Sequence, residues 1–285
     1  MDLKHELDFA LELAERCGAI ALELQRQGPD ALCTREKTGD DGPVTRADTE
    51  INSVIVGALR ATFPGDAIVA EESAESSHAV RQAAPRCWFI DPIDGTTEYA
   101  RGEDSWAIHI GLCVDGEPTL GVVHEGARGR TSWGIGRGEG AGAWGRRAGG
   151  EPFPLRPGGG ALDRLRMVSS KSHASPRITA VMEALAIPPE RNLRIGSLGV
   201  KLMTIAWGEA DVYVHPRSGT KLWDTCAPEA VLRAAGGVTT DLRGAPLRYR
   251  DPTVHNLAGI VSTRGDVNLD ILARLLPLTS TWELS

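Results

Sequence analysis

The sequence lacks several features that would have named a function class at once. It has no unbroken apolar stretch of roughly 18 residues, the length a membrane-spanning helix needs. Its first residues, MDLKHELDFALELAER, carry no basic segment followed by an apolar one, so no secretory leader is expected. Cysteine is sparse and odd in number: Cys17, Cys33, Cys87, Cys113 and Cys226 lie far apart. Neither a disulfide framework nor a zinc site fits that spacing, and a reducing cytoplasm does. Basic surplus is missing too. Asp and Glu total 38 against 31 Lys and Arg, a net charge of −7, which excludes a groove that grips a nucleic-acid polymer by its phosphates. Aromatic residues make up only 5%, whereas glycine is abundant at 33 residues.

The 285 residues suffice for a substantial core in one large domain or two small ones. Leu3, Leu7, Ala10, Ala14, Cys17, Ala21 and Leu24 recur at helical spacing, and Gly28-Pro29 is a stop signal. Residues 33–44 are polar and turn-rich and read as a loop or hairpin. A second amphipathic helix carries Ile51, Val54, Ile55, Ala58, Leu59 and Phe63. Two short apolar runs follow, Ala67 to Ala70 and Cys87 to Ile90, each read as a buried strand running directly into acids. Alternation from Trp106 to Val123 breaks at Asp115-Gly116, a hairpin signal. Gly140 to Gly145 matches G-x-G-x-x-G formally but lacks a strand-to-helix setting, so it reads as turns. The stretch 151–160 marks a boundary, dividing the chain into 1–155 and 156–285. Beyond it, strand signals (Met167–Ser169, Asp211–His215, Gly237–Thr240, Ala258–Ser262) alternate with helix signals (Ser175–Ala186, Leu198–Gly208, Cys226–Ala235, Val267–Leu275). That alternation argues an α/β second half behind an α+β first half.

The chemistry concentrates where apolar strands end. Glu71-Glu72-Ser73 follows AIVA, Asp91-Pro92-Ile93-Asp94-Gly95-Thr96 follows CWFI, and Asp224 opens a helix in KLWDTCAPEAVLRAAGG. Ligand sites in α/β folds form beyond the carboxyl ends of strands. Several carboxylates gathered there repel unless hard cations sit between them, and magnesium suits acids shared with a phosphate. A helix beginning at Gly95-Thr96 would add free N–H groups for an anion. Asp48 and Asp224 are also well placed to cap helices, a role compatible with catalysis.

These three motifs, in this order and spacing, resemble the magnesium-dependent, lithium-sensitive phosphatases of the inositol monophosphatase superfamily. The resemblance spans nearly the whole chain and implies a layered α-β-α-β-α sandwich. It implies two or three Mg²⁺ held by Glu71, Asp91, the carbonyl of Ile93, Asp94 and Asp224. It further implies a catalytic role for Glu71, and for Thr96 with Asp48, in activating the attacking water, with phosphoryl oxygens on the N–H groups of Gly95 and Thr96. The partner implied is a small phosphate ester, in a protein that binds no membrane and could form a homodimer.

Within the superfamily, Asp224-Thr225-Cys226-Ala227-Pro228-Glu229 and Ser170-Lys171-Ser172-His173 resemble the 3′(2′),5′-bisphosphate nucleotidases. So does Lys201 in GSLGVKLM, the segment that also contains Ser197. Ser170, His173, Ser197, Lys201 and Asp224 are therefore the implied substrate contacts, with Lys221 a further candidate. Glu98-Tyr99 follow the same branch, whereas Ile93 and Thr97 resemble the inositol phosphatases. The expectation is a phosphomonoesterase acting on the 3′-phosphate of 3′-phosphoadenosine 5′-phosphate; the alternative is an inositol or sugar phosphatase. The simpler reading of Lys201 is a solvated charge on a helix. That of Trp223 is a wall of the site or core.

Overall fold

A computed structural model describes residues 1–37, 42–171 and 175–283. Helix α1 (Lys4–Arg26) buries the stripe Ala10, Leu13, Ala14, Cys17, Ala21 and Leu24. The chain then reverses through Gly28, at φ 89°, into a single helical turn at Pro29–Leu32. Arg35–Glu36 pair antiparallel with Pro43–Val44, so the polar segment is a hairpin at its base. Helix α2 (Arg46–Thr62) starts from a capping box between Thr45 and Asp48 and buries Ile51, Ile55 and Leu59.

A large sheet follows, its strands adjacent in chain order: β1 (Ala67–Ala70), β2 (Arg86–Asp94), β3 (Ala107–Val114), β4 (Glu117–Glu125), β5 (Arg130–Ile135), β6 (Gly142–Arg147) and β7 (Phe153–Pro154). Only β1 and β2 run parallel; the rest form antiparallel hairpins. Asp115 and Gly116 turn the β3–β4 hairpin with φ of 55° and 83°, the two positive values that a tight hairpin turn demands.

After a connector at 155–166, a smaller mixed sheet is built from β8 (Met167–Ser170), β9 (Asn192–Ile195), β10 (Val212–His215), β11 (Gly237–Thr240) and β12 (Ile260–Arg264) in the order β9-β8-β10-β12-β11. Strand β9 carried no sequence signal. It lies on the sheet edge with Leu193 and Arg194 exposed, so its residues do not alternate.

The helices complete the layers. α1 and α2 cover one face of the large sheet, while α5 (Leu198–Ala206) and α6 (Leu222–Ala234) lie between the two sheets. Helices α4 (Pro176–Ala184) and α7 (Asn268–Thr279) cover the far face of the small sheet through Val181, Ile271 and Leu275. The architecture is the expected α-β-α-β-α sandwich. The 155/156 boundary falls between the sheets in sequence, yet the middle layer belongs to both: Val123 and Ala143 share a core with Val200, Ala227 and Ile260.

Glycine makes that layer fit. Gly111, Gly121 and Gly134 are register partners across β3, β4 and β5. A Cβ on Gly121 would lie 2.2 Å from the Ala227 carbonyl oxygen, and one on Gly111 would lie 2.7 Å from the Ala227 nitrogen. The row is a groove for α6. Part of the glycine surplus is thus packing and not turns. Helix α6 also starts four residues earlier than its sequence signal, which places Pro228 in its interior and not in its first turn.

Candidate active site

Asp91 and Asp94 are three residues apart on β2, a spacing that in a regular strand would send them to opposite faces. The ladder prevents this. Asp91 pairs with His109 but Asp94 with Ala107, so one extra residue bulges from β2 between the two acids. The bulge re-aims Asp94 towards the side Asp91 occupies. Glu71 joins them because its backbone N–H continues the β1–β2 ladder to the Ile90 carbonyl at 3.1 Å. Asp224 arrives from the first turn of α6.

Each acid is held by local donors. Asp91 accepts the Ile93 N–H at 3.1 Å, and Asp224 accepts the Lys221 N–H at 2.8 Å. Asp94 accepts the Gly199 N–H at 2.6 Å and the Ser197 hydroxyl, from the first turn of α5, and lies 3.3 Å from His109 Nε2. Glu71 meets Lys37 Nζ at 2.8 Å. Burial, followed by the charges of Glu71, Asp94 and Asp224, pushes the Asp91 carboxyl well above its ordinary range. Burial with Glu71 and Asp94 does the same to Asp224.

That mutual repulsion among four oxygen donors is what a hard divalent cation relieves, so the donor set fits magnesium. Among the described residues no three acidic, His or Cys side chains are already arranged as a closed cage. Glu71 and Asp94 are instead turned towards Lys37 and towards α5.

Asp48 sits at the third position of α2, fully buried. Its Oδ2 caps the helix through the Thr45 N–H at 2.8 Å and hydroxyl at 2.6 Å. Its Oδ1 lies 3.1 Å from Thr96 Oγ1, which is also 3.0 Å from the Ile93 carbonyl. One hydroxyl proton serves one acceptor at a time, leaving Thr96 able to switch between them. Capping and a place in the site therefore coexist at Asp48. Burial pushes its carboxyl up to about 6, with Thr45 opposing. Helix α3 (Thr96–Ala100) starts from Gly95, at φ 92°, leaving its first N–H groups without partners inside the helix.

Lys201 is 3% exposed, so the reading as a solvated surface charge fails. Its Nζ donates to Ser170 Oγ at 3.0 Å and to the Gly196 carbonyl at 2.8 Å, above the Tyr213 ring. Burial pushes this ammonium down to about 8. Ser170 borders a cleft of about 360 Å³ lined also by Arg177, His215 and Arg217. A larger cleft of about 530 Å³ is lined by Trp144, Arg156 and Arg264 and by none of the site's acids. Ser197 donates its hydroxyl to Asp94 and accepts the Val200 N–H at 3.0 Å, so it braces a carboxylate of the site. His173 lies outside the described residues. Trp223, 3% exposed, is wall and core.

A sequence model of the inositol monophosphatase family matches residues 2–275. The chain belongs to that family. Its members are metal-dependent phosphatases, in keeping with the acid cluster. Among family relatives, the 3′-phosphoadenosine 5′-phosphate phosphatase of Mycobacterium leprae is 33% identical over 91% of this chain and 89% of its own. The 3′(2′),5′-bisphosphate nucleotidase 1 of Rattus norvegicus is 29% identical over 89% and 88%. A solved structure of a Thermotoga maritima IMPase covers 97% of this chain and 98% of its own at a TM-score of 0.78 and 25% identity.

Three site residues escaped sequence reasoning. His109 showed no ligand spacing, yet strand pairing sets it opposite Asp91, and Gly199 makes room for it: a Cβ there would lie 1.9 Å from its Nε2. Glu98 is buried against Gly196, close enough that its charge acts on Lys201. Lys37 comes from the hairpin, 34 positions upstream of the first acidic motif at Glu71. No signal in the sequence identifies Lys37. For His109, the alternation of AIHIGLCV was the available clue.

Proposed function

We propose that this protein is a magnesium-dependent phosphomonoesterase that removes the 3′-phosphate of 3′-phosphoadenosine 5′-phosphate. The observation that carries the substrate is Lys201. Its hydrogen bonds among the described residues go to neutral oxygens, while Asp94, Glu98 and Asp224 act on it from beyond contact, so an anion in direct contact would complete its shell. Among the described residues no carboxylate forms an ion pair with it. The neighbouring cleft adds Arg177 and Arg217, which suits a substrate whose second phosphate is recognised but not cleaved. The relatives' names agree with this reading.

Glu71, Asp91, Asp94, Asp224 and the Ile93 carbonyl are the groups that would hold two or three magnesium ions. When bound, the ions supply water activation and neutralise charge on the leaving oxygen. Asp48 and Thr96 form the proton path: Thr96 Oγ1 orients the attacking water and passes a proton to Asp48 Oδ1. The N–H groups of Gly95 and Thr96 bind phosphoryl oxygens. Residues 1–155 supply this machinery apart from Asp224, and residues 156–285 supply Asp224 and specificity, through Ser170, Ser197 and Lys201. His173 is kept as a contact from the sequence pattern alone. The five free cysteines support a cytoplasmic setting.

The second reading, an inositol or sugar phosphatase at the same site, draws on Ile93 and Thr97. Product identity tests the proposal. Turnover of 3′-phosphoadenosine 5′-phosphate should yield adenosine 5′-phosphate, and release of adenosine 3′-phosphate would refute the proposed orientation.

A further inference from the structure

The cation that the structure places among the acids belongs to the protein itself. Lys37 Nζ lies 2.8 Å from Glu71 Oε1 and 2.5 Å from Glu72 Oε1, and all three side chains are largely withdrawn from solvent. The ammonium is delivered by design of the hairpin. Arg35–Glu36 pair with Pro43–Val44, the Lys37 N–H donates to the Gly42 carbonyl at 3.0 Å, and the hairpin runs directly into α2. Glu72 has no part in the metal set, yet it stands beside a ligand and shares that ligand's lysine.

We propose that Lys37 competes with the divalent cation for Glu71, and that Glu72 is the carboxylate onto which Lys37 withdraws when the metal is in place. This inference rests on the metal-dependent reading of the site. A carboxylate oxygen committed to an ammonium at 2.8 Å serves a dication less well, because the two cations then repel at close range in a partly dried site. Losing Glu71 would cost Lys37 one of two partners, and Glu72 keeps the ammonium paired, which limits that cost. The pair thus sets how tightly the site takes its ion through Glu71, and keeps the acids partly neutralised before the ion arrives. Lys37 and Glu72 are positioning residues for the metal.

Calorimetric titration of the folded protein with Mg²⁺ alone tests this, with circular dichroism confirming the fold of each variant. Lys37→Met should tighten binding by about tenfold. Glu72→Gln should weaken it by about threefold, because Lys37 then rests wholly on Glu71. Simple removal of charge near the site would produce the same two signs, so the decisive comparison is the double variant. In the Lys37→Met background, Glu72→Gln should change affinity by less than about twofold. An unchanged or weaker affinity in Lys37→Met overturns the proposal, as does an equal Glu72→Gln effect in both backgrounds. Wild-type protein that takes up no Mg²⁺ would instead sink the metal reading on which the inference rests.

Discussion

Asp94 on the large sheet is bonded to Ser197, the residue that opens helix α5, and the Gly199 N–H reinforces the tie at 2.6 Å. The same helix carries Lys201 one turn further on. The brace of a proposed metal ligand and the proposed anchor of the second phosphate therefore share one rigid element. We predict that Ser197→Ala leaves the protein folded, losing about 1 kcal/mol with the helix cap. Magnesium-dependent kcat should fall by about tenfold or more, because Asp94 loses its brace. Thermal melts and steady-state kinetics separate the two effects.

Asp48 is raised to about 6 by burial and must be ionised to receive a proton from Thr96. Activity is therefore lost as pH falls through about 6 and is fully present above it. The kcat/KM profile should show an acidic limb near that value. Asp48→Asn should remove the limb together with most of the activity, and an unchanged limb would assign it to another group.

Lys201 is pushed down to about 8 and binds an anion only while protonated. KM for a bisphosphate nucleotide should rise above pH 8, whereas KM for a simple phosphomonoester should not. Lys201→Ala should raise the first by about tenfold or more, as loss of a charge-assisted contact implies, and leave the second nearly unchanged. Equal effects on both substrates would remove Lys201 from specificity.

Gly121→Ala tests the packing of the middle layer. The added methyl would meet the Ala227 carbonyl oxygen at 2.2 Å, a backbone atom that cannot move without α6. Destabilisation of about 2–3 kcal/mol is expected. Because α6 carries Asp224, magnesium affinity should fall as well. Denaturant melts check the first outcome and calorimetry the second.

Much of this site was legible in the sequence because its chemistry lies in contiguous motifs at strand ends. The rule that ligands gather beyond the carboxyl edge of a sheet marked the acidic clusters, and the family resemblance singled out Glu71, Asp91, Asp94 and Asp224 within them. What was not legible depends on pairing between distant segments. The bulge that brings Asp94 beside Asp91 exists only in the ladder with β3, and His109 gains its place from the same pairing. Lys37 reaches Glu71 across 34 positions of chain. The burial of Lys201 was not legible, because helical periodicity cannot report burial on both faces and all of α5 is buried between two sheets. Strand β9 and the true start of α6 were missed for other reasons. Edge strands need not alternate, and Asp224 as an internal cap starts the helix before the apolar run begins.

The central claim is the identity of the substrate. Phosphate release should be measured side by side, with magnesium, on 3′-phosphoadenosine 5′-phosphate, inositol 1-phosphate and fructose 1,6-bisphosphate. The account predicts that the first is turned over with a kcat/KM at least about tenfold above either other, the discrimination that one charged contact supplies. Negligible turnover of the first beside brisk turnover of either other would contradict it.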